Sequence, residues 1–155
     1  MTPEEMKEES DWQEAWKYAG KAGNPITRDV RDFEINDVVE VIATHVAEGD
    51  YAETTVDGIF RMKDGVYVYL NAGCDTTGWD CQAGGSAEWH EDLPTLMTCL
   101  DNEKRDLLLN ADTIEALARG KGLPNAKAYG AAVHLGARVD RVLGLIVEGK
   151  PPPKS

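Results

Sequence analysis

Positive charge is missing from the middle of this chain. No lysine or arginine lies between Lys63 and Lys104. Gly78, Gly84 and Gly85 fall in that span but make neither a GxxxxGK[ST] nor a GxGxxG pattern, which excludes a phosphate-cradling loop there. Long apolar runs are missing too. Nothing approaches the ~18 residues of a membrane-spanning helix, so a helical membrane protein is excluded. Cysteine is scarce. Cys74, Cys81 and Cys99 are an odd number without framework spacing, which excludes a disulfide scaffold and agrees with a reducing compartment. The start, Met1-Thr2-Pro3-Glu4-Glu5, is acidic and lacks the basic region of a signal or transit peptide, so a cytoplasmic location is expected. No internal repeat is visible.

What is abundant is acid. The formal net charge is −12, unevenly spread. Residues 1–110 hold 24 acidic and 9 basic side chains, while 111–155 hold 4 and 7. The first field, net −15, repels phosphate backbones and disfavours nucleic acid as a partner. It suits basic protein partners, or simply solubility. A chain of 155 residues with 42% apolar and 28% charged side chains suits one domain with its own core. That domain is expected over 1–149, followed by a disordered proline-rich tail at 150–155.

The first nine residues read as a frayed charged segment. Ser10-x-x-Gln13 resembles a capping box, and Trp12, Ala15, Trp16 and Ala19 follow helical spacing, with Gly20 as the stop. Residues 21–32 read as a loop. Asp37-x-x-Glu40, with Ile35, Val38, Val39, Ile42 and Val46 behind it, predicts a second helix ending at Gly49. A hairpin follows, with strands at 54–62 and 66–72 flanking Lys63-Asp64-Gly65. Val66, Val68, Leu70 and Ala72 share one face of its second strand, Tyr67, Tyr69 and Asn71 the other. Residues 86–90 fit a third, antiparallel strand.

Beyond Asp92 the pattern is helical. Asp92 caps a segment carrying Leu93, Leu96, Met97 and Leu100. Asn102 starts a short helix, and Asp112-x-x-Glu115 reads as a capping box. Ala128, Ala132, Leu135, Val139, Val142 and Ile146 are spaced 4, 3, 4, 3, 4, which predicts one long helix over 125–148. Its small residues, Gly130, Gly136 and Gly144 among them, would admit a close neighbouring backbone. The expected fold class is therefore α+β: a small antiparallel sheet built on the 54–72 hairpin, packed by helices, with a long C-terminal helix. The far half of that helix, with Val139, Val142 and Ile146, is expected to reach a second copy or another partner.

The candidate site is the loop over 73–85, which holds two cysteines, Asp75, Asp80, two threonines, Trp79 and four glycines. Polar, glycine-punctuated loops on a scaffold are where binding usually sits. Cys74 and Cys81 are six apart, too wide for the C-x2–4-C pair of structural zinc, and Cys99 reads as a core residue, so no metal is expected. His45, His90 and His134 could in principle serve a cysteine nucleophile, but no local signature marks one. Asp75 and Asp80 with Thr76 and Thr77 lack the calcium-loop spacing and read as turn-holding side chains. Trp79 either plugs the core from outside or projects to a partner.

The run KDGVYVYLNAGCDTTGWDC, from Lys63 through Tyr67 and Tyr69 to Cys74 and Cys81, resembles a group of small proteins of actinobacterial phages and related bacterial genomes. These share a Cys-Asp-x-Thr-Gly-Trp-Asp-Cys core and a following leucine-rich helix, here Leu93 to Leu100. The resemblance covers about a third of the chain and carries no activity. It implies a phage or mobile-element product acting in a bacterial cytoplasm. Two function classes remain open. One is a non-catalytic acidic module that binds a host protein, or itself through the C-terminal helix, with Trp79, Asp75 and Asp80 as contacts and no cofactor. The other is a small enzyme or ligand-binding domain with Asp75, Asp80 and His90 as its polar groups.

Overall fold

The computed structural model describes residues 1–154 and shows an α+β protein. Where the length suits one domain over 1–149, the chain gathers into two compact units, Met1–Glu91 and Asp92 onward.

The first unit is built on a six-stranded sheet. Its strands are β1 (Lys21–Gly23), β2 (Val30–Asp32), β3 (Val38–Glu48), β4 (Thr54–Met62), β5 (Tyr67–Cys74) and β6 (Ala83–His90), in the order β2-β1-β6-β5-β4-β3. All neighbours are antiparallel except β1 and β6, so the sheet is mixed and larger than the expected two or three strands. The hairpin turning at Asp64-Gly65 and the third strand stand as read. Residues 21–32 form two short strands where a loop was expected.

The first nine residues are not frayed. Helix α1 (Pro3–Glu8) is closed by a capping box between Thr2 and Glu5, and Met6 is fully buried. Helix α2 (Ser10–Ala19) has no side-chain cap at its N-cap residue; the Gln13 side-chain Nε2 donates back to the Lys7 carbonyl at 2.6 Å. Its stripe of Trp12, Ala15, Trp16 and Ala19 is buried across β4, β5 and β6, with Trp12 and Trp16 flanking Phe60 at 5.6 and 5.2 Å between ring centroids. A Cβ at Gly85 would sit 2.8 Å from the Ala19 methyl and 2.9 Å from that of Ala72. That glycine, read as part of a functional loop, is a strand residue kept small so that α2 can approach.

The predicted helix over 37–48 is strand β3. Val38, Val39, Val41, Ile42, Thr44 and Val46 are β-branched and lose rotamer freedom in a helix, and pairing with β4 satisfies their backbone. Asp37 caps only a single 3-10 turn (Ile35–Asp37), accepting from the Glu34 amide at 2.9 Å. That bond, followed by the Lys63 ammonium, holds the Asp37 carboxyl below the usual range.

The second unit is helical: α3 (Leu93–Thr98), α4 (Asn102–Leu108), α5 (Ala111–Gly120), α6 (Ala126–His134) and α7 (Val139–Glu148). Caps expected at Asn102 and Asp112 fall at Asp101, and at Asn110 with Thr113. The single long helix over 125–148 is two helices. Gly136 sits at φ 106°, a conformation closed to other residues without strain, and its amide and that of Ala137 close the end of α6 on the Val133 and Ala132 carbonyls. One small residue does admit a neighbour: a Cβ at Gly130 would lie 2.5 Å from the Ala111 carbonyl of α5. After α7 residues 150–154 have no regular structure, though the Tyr129 hydroxyl donates to the Lys150 carbonyl at 2.6 Å; Ser155, the last residue of the expected tail, lies outside the described residues.

Candidate functional site

Strands β5 and β6 absorb both ends of the 73–85 loop, leaving 75–82 as the connection. Asp75 organises it. Its carboxylate accepts from the Thr77 amide at 2.9 Å and from the Thr77 hydroxyl, and its carbonyl accepts from Gly78 at 3.0 Å. The Thr77 hydroxyl, then the amide, lowers the Asp75 pKa. Asp80, expected to share this work, is exposed and accepts no hydrogen bond among the described residues. Cys74 is buried with its thiol on the Ala52 carbonyl at 3.2 Å, whereas Cys81 is exposed.

Trp79 ties this connection to α2. Its indole N–H donates to Asp11 at 2.9 Å, its carbonyl accepts from the Tyr18 hydroxyl at 2.8 Å, and its ring stacks on Tyr18 with centroids 6.0 Å apart. The half-buried ring also packs on the core of the first unit. Of the two roles open to Trp79, the geometry matches the plug.

The polar set Asp75, Asp80 and His90 is not brought together. Cys74 pairs with Ala83 at one end of the β5–β6 ladder and Tyr67 with His90 at the other. Seven residues of strand separate them, ~23 Å. Among the described residues no group of three His, Cys, Asp or Glu side chains is placed to hold a metal ion.

Nor does the C-terminal helix offer its predicted contacts. Val142 and Ile146 have no exposed surface and Val139 is half-buried, because α7 packs on α3, α4, α5 and α6. A ten-residue helix leaves no overhanging half to reach a partner.

A polar rung missed in the sequence crosses four strands: His45, Asp57, Asn71 and Ser86 are successive partners in β3, β4, β5 and β6. Asp57 is buried and accepts from the Tyr69 hydroxyl at 2.7 Å and the Asn71 amide at 2.9 Å. Ser86 and His45 are three strand spacings apart, ~14 Å, too far for the histidine to take the serine proton. Beside the rung, burial pushes the Glu88 carboxyl up. The alternation of Tyr67, Tyr69 and Asn71 was the legible trace of this face.

Strand β3 is the other feature hidden in the sequence. It lies at the sheet edge and only Val38 of its 11 residues is buried. Val39 and Val46 are 41% and 43% exposed. At its end the chain turns through Gly49, Asp50, Tyr51 and Ala52, with Gly49 and Glu53 joined by a 2.9 Å backbone bond. Tyr51 stands at the tip, 96% exposed and at φ 56°, between Glu48 and Asp50 on one side and Glu53 on the other. A left-handed aromatic residue is a strained one, and such strain clusters at functional sites. No lysine or arginine lies in 32–60, between Arg31 and Arg61.

No family model, curated protein or solved structure matches this chain, so the functional reading rests on its own geometry.

Proposed function

We propose that this is a non-catalytic acidic module for protein–protein interaction. One observation carries the reading: an apolar edge strand with little burial that ends in an acidic tip presenting Tyr51. Tyrosine is enriched at binding hot spots, and an exposed strand edge is a ready template for a partner. The acid is concentrated where the strand is. Met1–Glu91 holds 20 acidic and 7 basic side chains, net −13, and the rest of the chain 8 and 9, net +1. The contact surface is therefore moved from Trp79, Asp75, Asp80 and the C-terminal helix to β3 and its tip. The phage-type resemblance adds the setting: a bacterial cytoplasm, with a host protein taken over as the partner. The enzyme reading loses its support with the ~23 Å separation of His90 from the loop.

The test is a photo-crosslinking residue in place of Tyr51, expressed in bacterial cells, with Arg119 replaced likewise as a control. One discrete adduct at position 51, weakened by salt and absent at 119, is expected. No adduct at 51, or the same adducts at both positions, overturns the reading.

A further inference from the structure

We infer that β3 takes its partner by strand addition, accepting a basic, extended segment along residues 43–48. This rests on the interaction reading above and names its surface and partner class.

The sheet has two ends and they differ. At one, β2 is three residues long, too short to template a partner. At the other, β3 runs 11 residues, about 36 Å, with no strand beyond it among the described residues. Natural edges are blunted by proline, by lysine or by bulges. Strand β3 contains neither proline nor lysine. Its two irregularities lie between Val38 and Glu40 and between Val41 and Ala43. From Ala43 to Glu48 the pairing with β4 is unbroken, ending at Glu48 opposite Thr54. That half presents a regular outer ladder, on which every second residue turns its N–H and C=O away from β4. Thr44, Val46 and Glu48 point to one face and His45 and Ala47 to the other. A partner with small apolar side chains at alternate positions would cover Val46, which is 43% exposed.

Charge selects the occupant. Glu48, Asp50 and Glu53 crowd one end of this ladder, and the unit that carries it has net charge −13. At the other end Glu40 is held by Arg61 at 3.0 Å. Lysines or arginines at the end of an incoming strand, past the residue that covers Val46, reach the acids of the tip, Glu48, Asp50 and Glu53, which have no cation partner among the described residues. A second copy fits worse. Antiparallel self-pairing that keeps each side chain on its own face centres on His45 or Val46. Centring on His45 sets Asp50 of each copy against Glu40 of the other; centring on Val46 sets Glu48 against Thr44 and leaves every acid of the tip without a cation, and either register brings two like-charged units together.

The test uses the full-length chain and a nine-residue peptide alternating lysine and valine. Binding should weaken about tenfold or more between about 0.05 and about 0.5 M salt. Alternate amides within 43–48 should gain hydrogen-exchange protection. The same peptide with alternate amides N-methylated, unable to extend the sheet, should lose binding about tenfold or more. Equal binding of the methylated peptide would sink strand addition while leaving the interaction reading intact. Equal binding of a glutamate–valine peptide would overturn the charge selection. Protection of these amides in a peptide-free dimer would make a second copy the occupant and overturn the proposal. Loss of the crosslink at position 51 with the peptide still bound would instead remove the biological reading alone.

Discussion

The side chain of Trp79 holds its connection through three contacts, an N–H donated to Asp11, a ring stacked on Tyr18 and packing against the core, besides the backbone carbonyl that accepts from Tyr18. Because the ring is half-buried, truncation forfeits part of the cost of a full core deletion. Trp79→Ala should lower stability by about 2 kcal/mol in urea unfolding, and an unchanged midpoint would show that the loop is held by Asp75 alone. Glu88 sets a pH dependence of opposite sense to the usual carboxylate. Burial raises its folded pKa, and one of its oxygens, Oε2, is buried without a hydrogen-bond partner among the described residues. Between the ordinary glutamate range and its raised folded value, the folded state holds a proton that the unfolded chain has released. The contribution of the neutral form is present at low pH and is lost as pH rises from the ordinary glutamate range through the folded value. Glu88→Gln should be more stable than the wild type at pH 7, with the gap closing below the ordinary glutamate range. A gap that stays constant with pH in thermal melts would refute this.

At the scale of elements, backbone chemistry overrides periodicity in two places. Strand β3 carries an apolar stripe that also satisfies a helix, yet its β-branched residues and its pairing with β4 make it extended. Helices α6 and α7 carry a continuous heptad-like seam that one glycine interrupts. Gly136→Ala should cost about 1 kcal/mol, the strain of an L side chain at φ 106°, measured by denaturant unfolding. A stabilised variant would instead mean that the two helices fuse readily. Gly85 is constrained by space. Gly85→Ala presses a methyl onto Ala19, Ala72 and the Asn71 carbonyl, all within 3 Å. It should cost about 1–3 kcal/mol, where Gly84→Ala, with nothing within 4 Å, costs far less.

For the whole molecule the governing quantity is charge. A net −12, with −13 in the first unit, makes the folded state repel itself. Raising salt from about 0.02 to about 0.2 M shortens the screening length and should raise Tm by about 2–4 °C, a change worth on the order of 1 kcal/mol in a chain of this size. A Tm that is flat or falls with salt would show that ion pairs such as Lys63–Asp37 at 2.9 Å outweigh the repulsion. The same field bears on function, since it favours basic partners and raises their rate of encounter.

Local chemistry alone determined the α2 stripe, the Asp64-Gly65 turn of the hairpin and the cap at Asp92, because each depends on neighbours a few residues away. The Asp75 turn was legible for the same reason: a carboxylate bonding two residues ahead needs no distant partner. Whether Ile35 to Val46 coils or extends was undecidable from periodicity, since one apolar pattern serves both and β4 breaks the tie. The burial of Val142 and Ile146, the tether from Trp79 to Asp11, and the distance of His90 from the loop all join residues far apart in the chain. So does the edge position of β3, because a strand is at an edge only when every other strand has found its place elsewhere. Those are properties of packing and topology, and only the tertiary structure decided them.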